Sequence, residues 1–189
     1  MKRIAVFASG SGTNAENLIQ YFRTKPGARV DLVLSNRPGA GVLERAEKLG
    51  VETIVFNRDT FYGTREIPDL LHGKGIDFIV LAGFLWLVPE QLLKDYEGKI
   101  VNIHPALLPG YGGKGMYGEN VHRAVIDNGE TESGITIHRV NRDYDRGDII
   151  FQARCPVMEN DTPATLASRI HELEYAHFPA VVEKLLDQL

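Results

Sequence analysis

Asn102 and His104 stand two places apart in Ile100-Val101-Asn102-Ile103-His104-Pro105. In an extended chain that spacing puts both polar groups on one face, with Val101 and Ile103 on the other. An amide beside an imidazole supplies hydrogen-bond donors and a group that exchanges a proton near neutrality. Pro105 restricts His104 to extended geometry and brings no N–H, so the strand ends with His104 at its tip. The plainer reading is a satisfied hydrogen-bonded pair at a strand terminus, the commoner case for an isolated Asn-x-His. Only convergence with other stretches lifts the pair above it.

Ser9-Gly10-Ser11-Gly12-Thr13-Asn14 is the second candidate. It separates an apolar run, residues 4–8, from helically spaced residues 15–22. Small residues before a helix N-terminus let backbone N–H groups approach a phosphate. Neither common nucleotide fingerprint fits: Ala15 stands where the dinucleotide pattern wants its third glycine, and no Gly-Lys-Ser/Thr follows. A tight turn with Thr13 or Asn14 as helix cap is an equal alternative, and the functional one is a site for a single phosphate. Other patterns fail on spacing. Asn141, Asp143 and Asp145 mimic a calcium loop, but Gly147 comes one place late and Gln152 stands where the bidentate Glu belongs. In His171-Glu172-Leu173-Glu174-Tyr175, Tyr175 replaces the second His of a zinc-protease helix. Asn160-Asp161-Thr162 is formally a glycosylation acceptor and reads better as a turn and helix cap.

The elements that must position these groups alternate. Residues 4–8, 30–34, 51–56, 78–82 and 99–104 read as strands, separated by helices over 15–22, 41–48, 65–72 and about 89–96. Such alternation predicts a mainly parallel sheet covered by helices, with right-handed crossovers. Beyond Pro109, five glycines between Gly110 and Gly118 predict a long loop. Residues 121–127 then form a helix, and residues 133–140 and 148–157 an antiparallel pair. Thr162 caps a last helix with Pro163 at its first position. Leu166, Ile170, Leu173, His177, Val181 and Leu185 share its predicted buried face, and Pro179 is expected to kink it. In this arrangement residues 10–14, residues 83–88 and the Asn102/His104 pair all lie just past the carboxyl ends of parallel strands. That edge is where open α/β sheets bind ligands.

With 189 residues, 43% of them hydrophobic, the chain suits one domain with one substantial core. Against 25 Asp and Glu stand 21 Lys and Arg, a net charge of -4, so no global basic field invites nucleic acid and an anionic ligand must be held locally. Cys155, the only cysteine, permits neither an intrachain disulfide nor a cysteine-rich metal site. The apolar start after Met1 is too short for a signal peptide or membrane span and is needed as a strand, which predicts a cytoplasmic protein.

Together with residues 9–14, four stretches carry a resemblance: Leu81-Ala82-Gly83-Phe84; Asn102-Ile103-His104-Pro105-Ala106-Leu107-Leu108-Pro109; Gly134-Ile135-Thr136-Ile137-His138; and Asp145-Arg146-Gly147-Asp148-Ile149-Ile150. They resemble the folate-dependent formyltransferases over nearly the whole chain. The stretch from Asn102 is highly specific, and Asp145 follows His138 by seven residues as the family pattern requires. The resemblance implies a single formyltransferase domain over residues 1–189, with a Rossmann-like open, mainly parallel, twisted α/β sheet. Helices cover both faces, and an antiparallel strand pair and a C-terminal helix extend it. It implies transfer of the formyl group of 10-formyltetrahydrofolate, a co-substrate, to the amine of glycinamide ribonucleotide, with no metal. By resemblance Asn102, His104 and Asp145 are the catalytic trio, Gly12, Thr13 and Asn14 the phosphate loop, and Glu174 the carboxylate that holds the substrate amine. Arg65, Leu85, Trp86, Leu87, Val88 and Asn102 are implied for the folate pocket. Trp86, where many relatives carry Arg, and the insertion at residues 113–118 depart from the family pattern. The partners implied are two small-molecule substrates, without nucleic acid or membrane, and a homodimer is left open.

Other acceptors keep the same formyl chemistry: water in a deformylase, a sugar nucleotide, or an initiator tRNA. A phosphate loop at residues 10–14 favours a small phosphorylated acceptor. A non-catalytic folate- or nucleotide-binding module is the reading from a different class, and the intact Asn102, His104 and Asp145 count against it.

Overall fold

Phe78–Ala82 is buried along its whole length, as a strand with helices on both faces must be. In the computed structural model, which describes residues 1–189, it is the fourth of seven strands in one sheet. β1 (Lys2–Phe7), β2 (Ala28–Ser35), β3 (Glu52–Val55), β4 (Phe78–Ala82) and β5 (Ile100–His104) are parallel. β6 (Glu132–Arg139) and β7 (Ile149–Pro156) add the antiparallel pair. The order is β3-β2-β1-β4-β5-β6-β7, so the chain reverses its march across the sheet between β1 and β4. A crevice opens at such a switch point because the connections leave on opposite faces.

The two faces bury separate cores. Ile4, Val6, Val80, Val101 and Ile103 point into the larger one, against α1 (Thr13–Arg23), α2 (Gly41–Lys48) and α6 (Pro163–Leu186). Ala5, Phe7, Ile79, Leu81 and Ile100 point into the smaller one, under α3 (Glu66–Gly73) and α4 (Glu90–Asp95). This alternation confirms that Val101 and Ile103 face away from Asn102 and His104. α5 (Glu119–Asp127) follows the glycine-rich loop and packs beside α6.

Two details differ from expectation. The first lies in α6, which runs from Pro163 to Leu186 and includes Pro179. Its buried stripe passes through Leu166, Ile170, Glu174, Phe178 and Val182, leaving Leu173 and His177 only half-buried. The second is a π-helical turn, Asp59–Gly63, where the sequence pattern predicts no element; it buries Phe61 completely. The helix start did follow its signals: Thr162 and Thr165 exchange side-chain-to-backbone bonds in a capping box ahead of Pro163. No helix is long and apolar enough to cross a membrane.

Candidate active site

A cleft of about 660 Å³ lies along the carboxyl ends of β1, β4 and β5 and reaches α5 and α6. Residues 10–14, Leu85 and Trp86, Asn102, His104, Asp145 and Glu174 all line it. The three suspicious stretches therefore converge on one space.

At the tip of β5 the antiparallel register sets Asn102 opposite His138, and paired residues project to the same face. His138 Nδ1 donates to the Arg139 carbonyl at 2.8 Å, and its Nε2 lies 3.0 Å from Asn102 Nδ2 and 3.5 Å from Asp145 Oδ1, able to accept from the amide without a proton and to donate to the carboxylate with one. The other Asn102 N–H points at Asp145 Oδ1, 3.3 Å away, the weaker of the two bonds. His104 Nε2 donates to the Tyr111 carbonyl at 2.7 Å, so its Nδ1 is the nitrogen turned toward Asp145, 3.6 Å from Oδ2. Asp145 enters from the β6–β7 loop with φ of 53°, and Gly113 N donates to its Oδ2 at 3.0 Å. Gly147 allows that loop to turn, because a Cβ there would collide with the Arg139 carbonyl. The turn after His104 is fixed from below: Thr136 Oγ1 donates to the Ala106 carbonyl at 2.7 Å and accepts from Leu108 N at 3.0 Å.

Burial governs the His104 ring. It lowers the pKa, and Asp145 and the Tyr111 carbonyl only partly restore it. Burial also opposes ionisation of Asp145, but the His138 ring, His104 and the Gly113 amide outweigh it, and the carboxyl titrates below its usual range. Asp145 is thus a stable anion beside an imidazole whose charge depends on it.

At the other end, three strand-end loops are tied at Ser9. Its hydroxyl donates to Asn36 Oδ1 at 2.6 Å and accepts from Leu85 N at 3.1 Å. Gly12 precedes α1 with φ of 79°, and a Cβ there would overlap Val42 of α2. Only glycine lets α1 start so close to α2, with its first N–H groups free of any side-chain cap. Asn14 Nδ2 donates to Glu174 Oε2 at 2.8 Å, and Asn14 Oδ1 is buried without a partner. Burial pushes the Glu174 carboxyl up to about 7 against the lowering effect of that bond.

Several residues in or beside the cleft carry no signal in the sequence that singles them out. His122 on α5 is 3% exposed, its Nδ1 has no partner, and burial drives its pKa down to about 4. His138 appeared only as part of a motif, yet it braces Asn102. Arg37, after β2, brings a cation to the cleft. Folate-side expectations divide. Trp86 lies on a shelf of Phe56, Phe61, Tyr62 and Phe84, with the Arg58 guanidinium 4.9 Å over its ring. Leu85 lines the cleft with it. Leu87 offers its carbonyl to the Tyr62 hydroxyl at 2.8 Å, and Val88 is buried in the smaller core, both outside the lining. Arg65 is also outside it, paired with Asp95 at 2.6 Å.

The sequence pattern described as formyl transferase matches residues 2–182. The chain is 39% identical over 193 residues to the chloroplastic phosphoribosylglycinamide formyltransferase of Arabidopsis thaliana, covering 99% of this chain and 66% of that one. It is 36% identical to the phosphoribosylglycinamide formyltransferase of Haemophilus influenzae, covering 97% of this chain and 86% of that one. The chain spans about two thirds or less of the plant and animal relatives it matches. The crystal structure of phosphoribosylglycinamide formyltransferase from Streptococcus pneumoniae superposes with a TM-score of 0.87 at 40% identity, covering 98% of this chain and 99% of that one. With the family pattern matched from β1 into α6 and the same fold found in these relatives, the chain belongs to the formyl transferase family.

Proposed function

We propose that this chain, acting as a single formyltransferase domain over residues 1–189, transfers the formyl group of 10-formyltetrahydrofolate to the amine of glycinamide ribonucleotide, a step of purine biosynthesis. One observation carries the reading: a single cleft holds an uncapped helix N-terminus with a buried carboxylate at one end and the Asn102, His104 and Asp145 constellation at the other. The names of the relatives support the choice of acceptor.

The backbone N–H groups at Gly12, Thr13 and Asn14 take the acceptor's phosphate, since a helix N-terminus favours an anion that the net charge of -4 does not. Glu174 accepts a hydrogen bond from the amine. Its raised pKa matters, because a fully ionised carboxylate would favour the non-nucleophilic ammonium. Leu85 and Trp86 give the pterin ring an apolar wall with backbone polar groups at its edge.

Attack joins the amine nitrogen to the formyl carbon and moves the carbonyl π pair onto oxygen. His104 donates to that oxygen from Nδ1–H in its charged form, and Asn102 from the N–H that otherwise leans on Asp145 at 3.3 Å. Collapse breaks the bond to the folate nitrogen, which takes the proton lost by the amine, carried through Asp145 and water. Atoms and charge balance with no metal and no covalent enzyme intermediate. The test is turnover of glycinamide ribonucleotide with a formyl-folate, followed by the folate absorbance change. Formyl transfer to the amine is expected. Equal deformylation with and without the acceptor would overturn it.

A further inference from the structure

The loop between β5 and α5 grips both ends of the acid–base pair with its backbone. The Tyr111 carbonyl accepts from His104 Nε2 at 2.7 Å, and two residues later Gly113 N donates to Asp145 Oδ2 at 3.0 Å. Gly112 between them packs closely, since a Cβ there would displace the end of the Leu108 side chain and press on Asp145. Three consecutive residues thus decide which imidazole nitrogen carries the proton and how the carboxylate is turned.

Tyr111 does this from a φ of 55°, and it and Asp145 are the two non-glycine residues with positive φ. Left-handed geometry brings the Cβ of an L-residue too close to the following carbonyl oxygen, so something must hold it. Its neighbours in Pro109-Gly110-Tyr111-Gly112-Gly113 offer no other side chain for the purpose except the proline. The Tyr111 side chain supplies the anchor. Its hydroxyl donates to Glu130 Oε1 at 2.6 Å and accepts from Asn128 Nδ2 at 3.0 Å, both on the turn that ends α5, while the ring packs on the larger core.

We propose that Tyr111 is a positioning residue for formyl transfer: its hydroxyl, pinned to Glu130 and Asn128, holds the backbone carbonyl that keeps His104 Nε2 protonated and Nδ1 turned to Asp145. The inference rests on the activity proposed above, but its first readout does not need substrate. The charged or titrating groups that act on His104 are Asp145, His138 and His122, and none of them is altered by the test.

The experiment compares the wild type with Tyr111→Phe and with the double variant Asn128→Ala/Glu130→Ala. It uses an NMR titration of His104 in the ligand-free protein and pH profiles of kcat and KM. Loosening the carbonyl removes a bond that favours the charged ring, so the His104 pKa falls. kcat drops roughly tenfold for a misplaced group, while KM for each substrate stays within about twofold. The proposal stands if either variant lowers the His104 pKa and falls if neither does. A shifted pKa in a protein whose wild type transfers no formyl group would sink the activity and leave the positioning role in place.

Discussion

Asn14 Nδ2 donates to Glu174 Oε2 across 2.8 Å, joining the first turn of α1 to the middle of α6 over a separation of 160 residues. Both residues line the cleft, at the end proposed to hold the acceptor. The bond also aims a carboxylate out of an otherwise apolar helical stripe and into the cleft, where the proposed reaction places the substrate amine.

Replacing Asn14 by Asp puts a second carboxyl against Glu174 and a negative charge at the helix N-terminus proposed to hold phosphate. Acceptor affinity should fall by on the order of tenfold, because a carboxylate in the first turn of α1 occupies the helix-terminus field proposed to favour the phosphate and repels that phosphate at short range. Folate affinity should be unchanged, and titration calorimetry with each ligand separates the two. Equal losses would mean that Asn14 serves the fold and not the acceptor.

Glu174 should leave a signature in stability. Its pKa rises from 4.5 to about 7 in the folded chain, so the folded state binds this proton more tightly than the unfolded one. The contribution is fullest below pH 4.5 and is lost as pH rises through about 7, by on the order of 3 kcal/mol. Glu174→Gln keeps an acceptor for Asn14 and removes the titration. Denaturant unfolding at pH 5 and pH 8 should show the variant gaining on the wild type at the higher pH. Parallel stabilities at both values would show that the buried carboxyl is not perturbed.

The legibility of this fold and site follows from how local each signal is. Phe78–Ala82 and Gly41–Lys48 were readable to the residue because continuous burial and a glycine stop are written in neighbouring positions. The Asn102/His104 pair was readable from alternation and Pro105. Glu174 was not readable from periodicity: ranking by hydrophobicity picks Leu173 and His177, whereas the real stripe steps by four through Leu166, Ile170, Glu174 and Phe178. Only family resemblance pointed to it. His138 could have been found by alternation with Thr136, but its approach to Asn102 depends on the β5–β6 register, which no single segment encodes. Tyr111 and His122 depend on how a glycine-rich loop folds back, and loops of that composition carry little pattern.

Trp86 should report folate binding. It is half-buried on an aromatic shelf and capped by Arg58, so a pterin ring in the cleft changes its surroundings directly. As the only tryptophan, Trp86 accounts for all indole fluorescence, which is expected to be quenched by a folate analogue and left alone by the acceptor. Tight analogue binding with unaltered emission would move the pterin elsewhere.

The decisive variant is Asp145→Asn. Asp145 Oδ2 stands 3.6 Å from His104 Nδ1 and is the first of the groups that raise a pKa otherwise depressed by burial. Removing the charge should lower the His104 pKa further, so that less of the ring is charged at neutral pH and fewer molecules can donate to the oxyanion. The proposed proton route from amine to leaving nitrogen is lost in the same step. Turnover should therefore fall by orders of magnitude, while acceptor and folate affinities change little, because both ligands lean on other residues. Asn102→Ala should lower turnover through the lost donor, at a cost on the order of 3 kcal/mol in the transition state. It also releases His138 Nε2, so the crystal structure of that variant has to be checked for a rotated His138 ring. An unmoved His104 titration in Asp145→Asn, or near-normal turnover at saturating acceptor, would refute the role given to this pair.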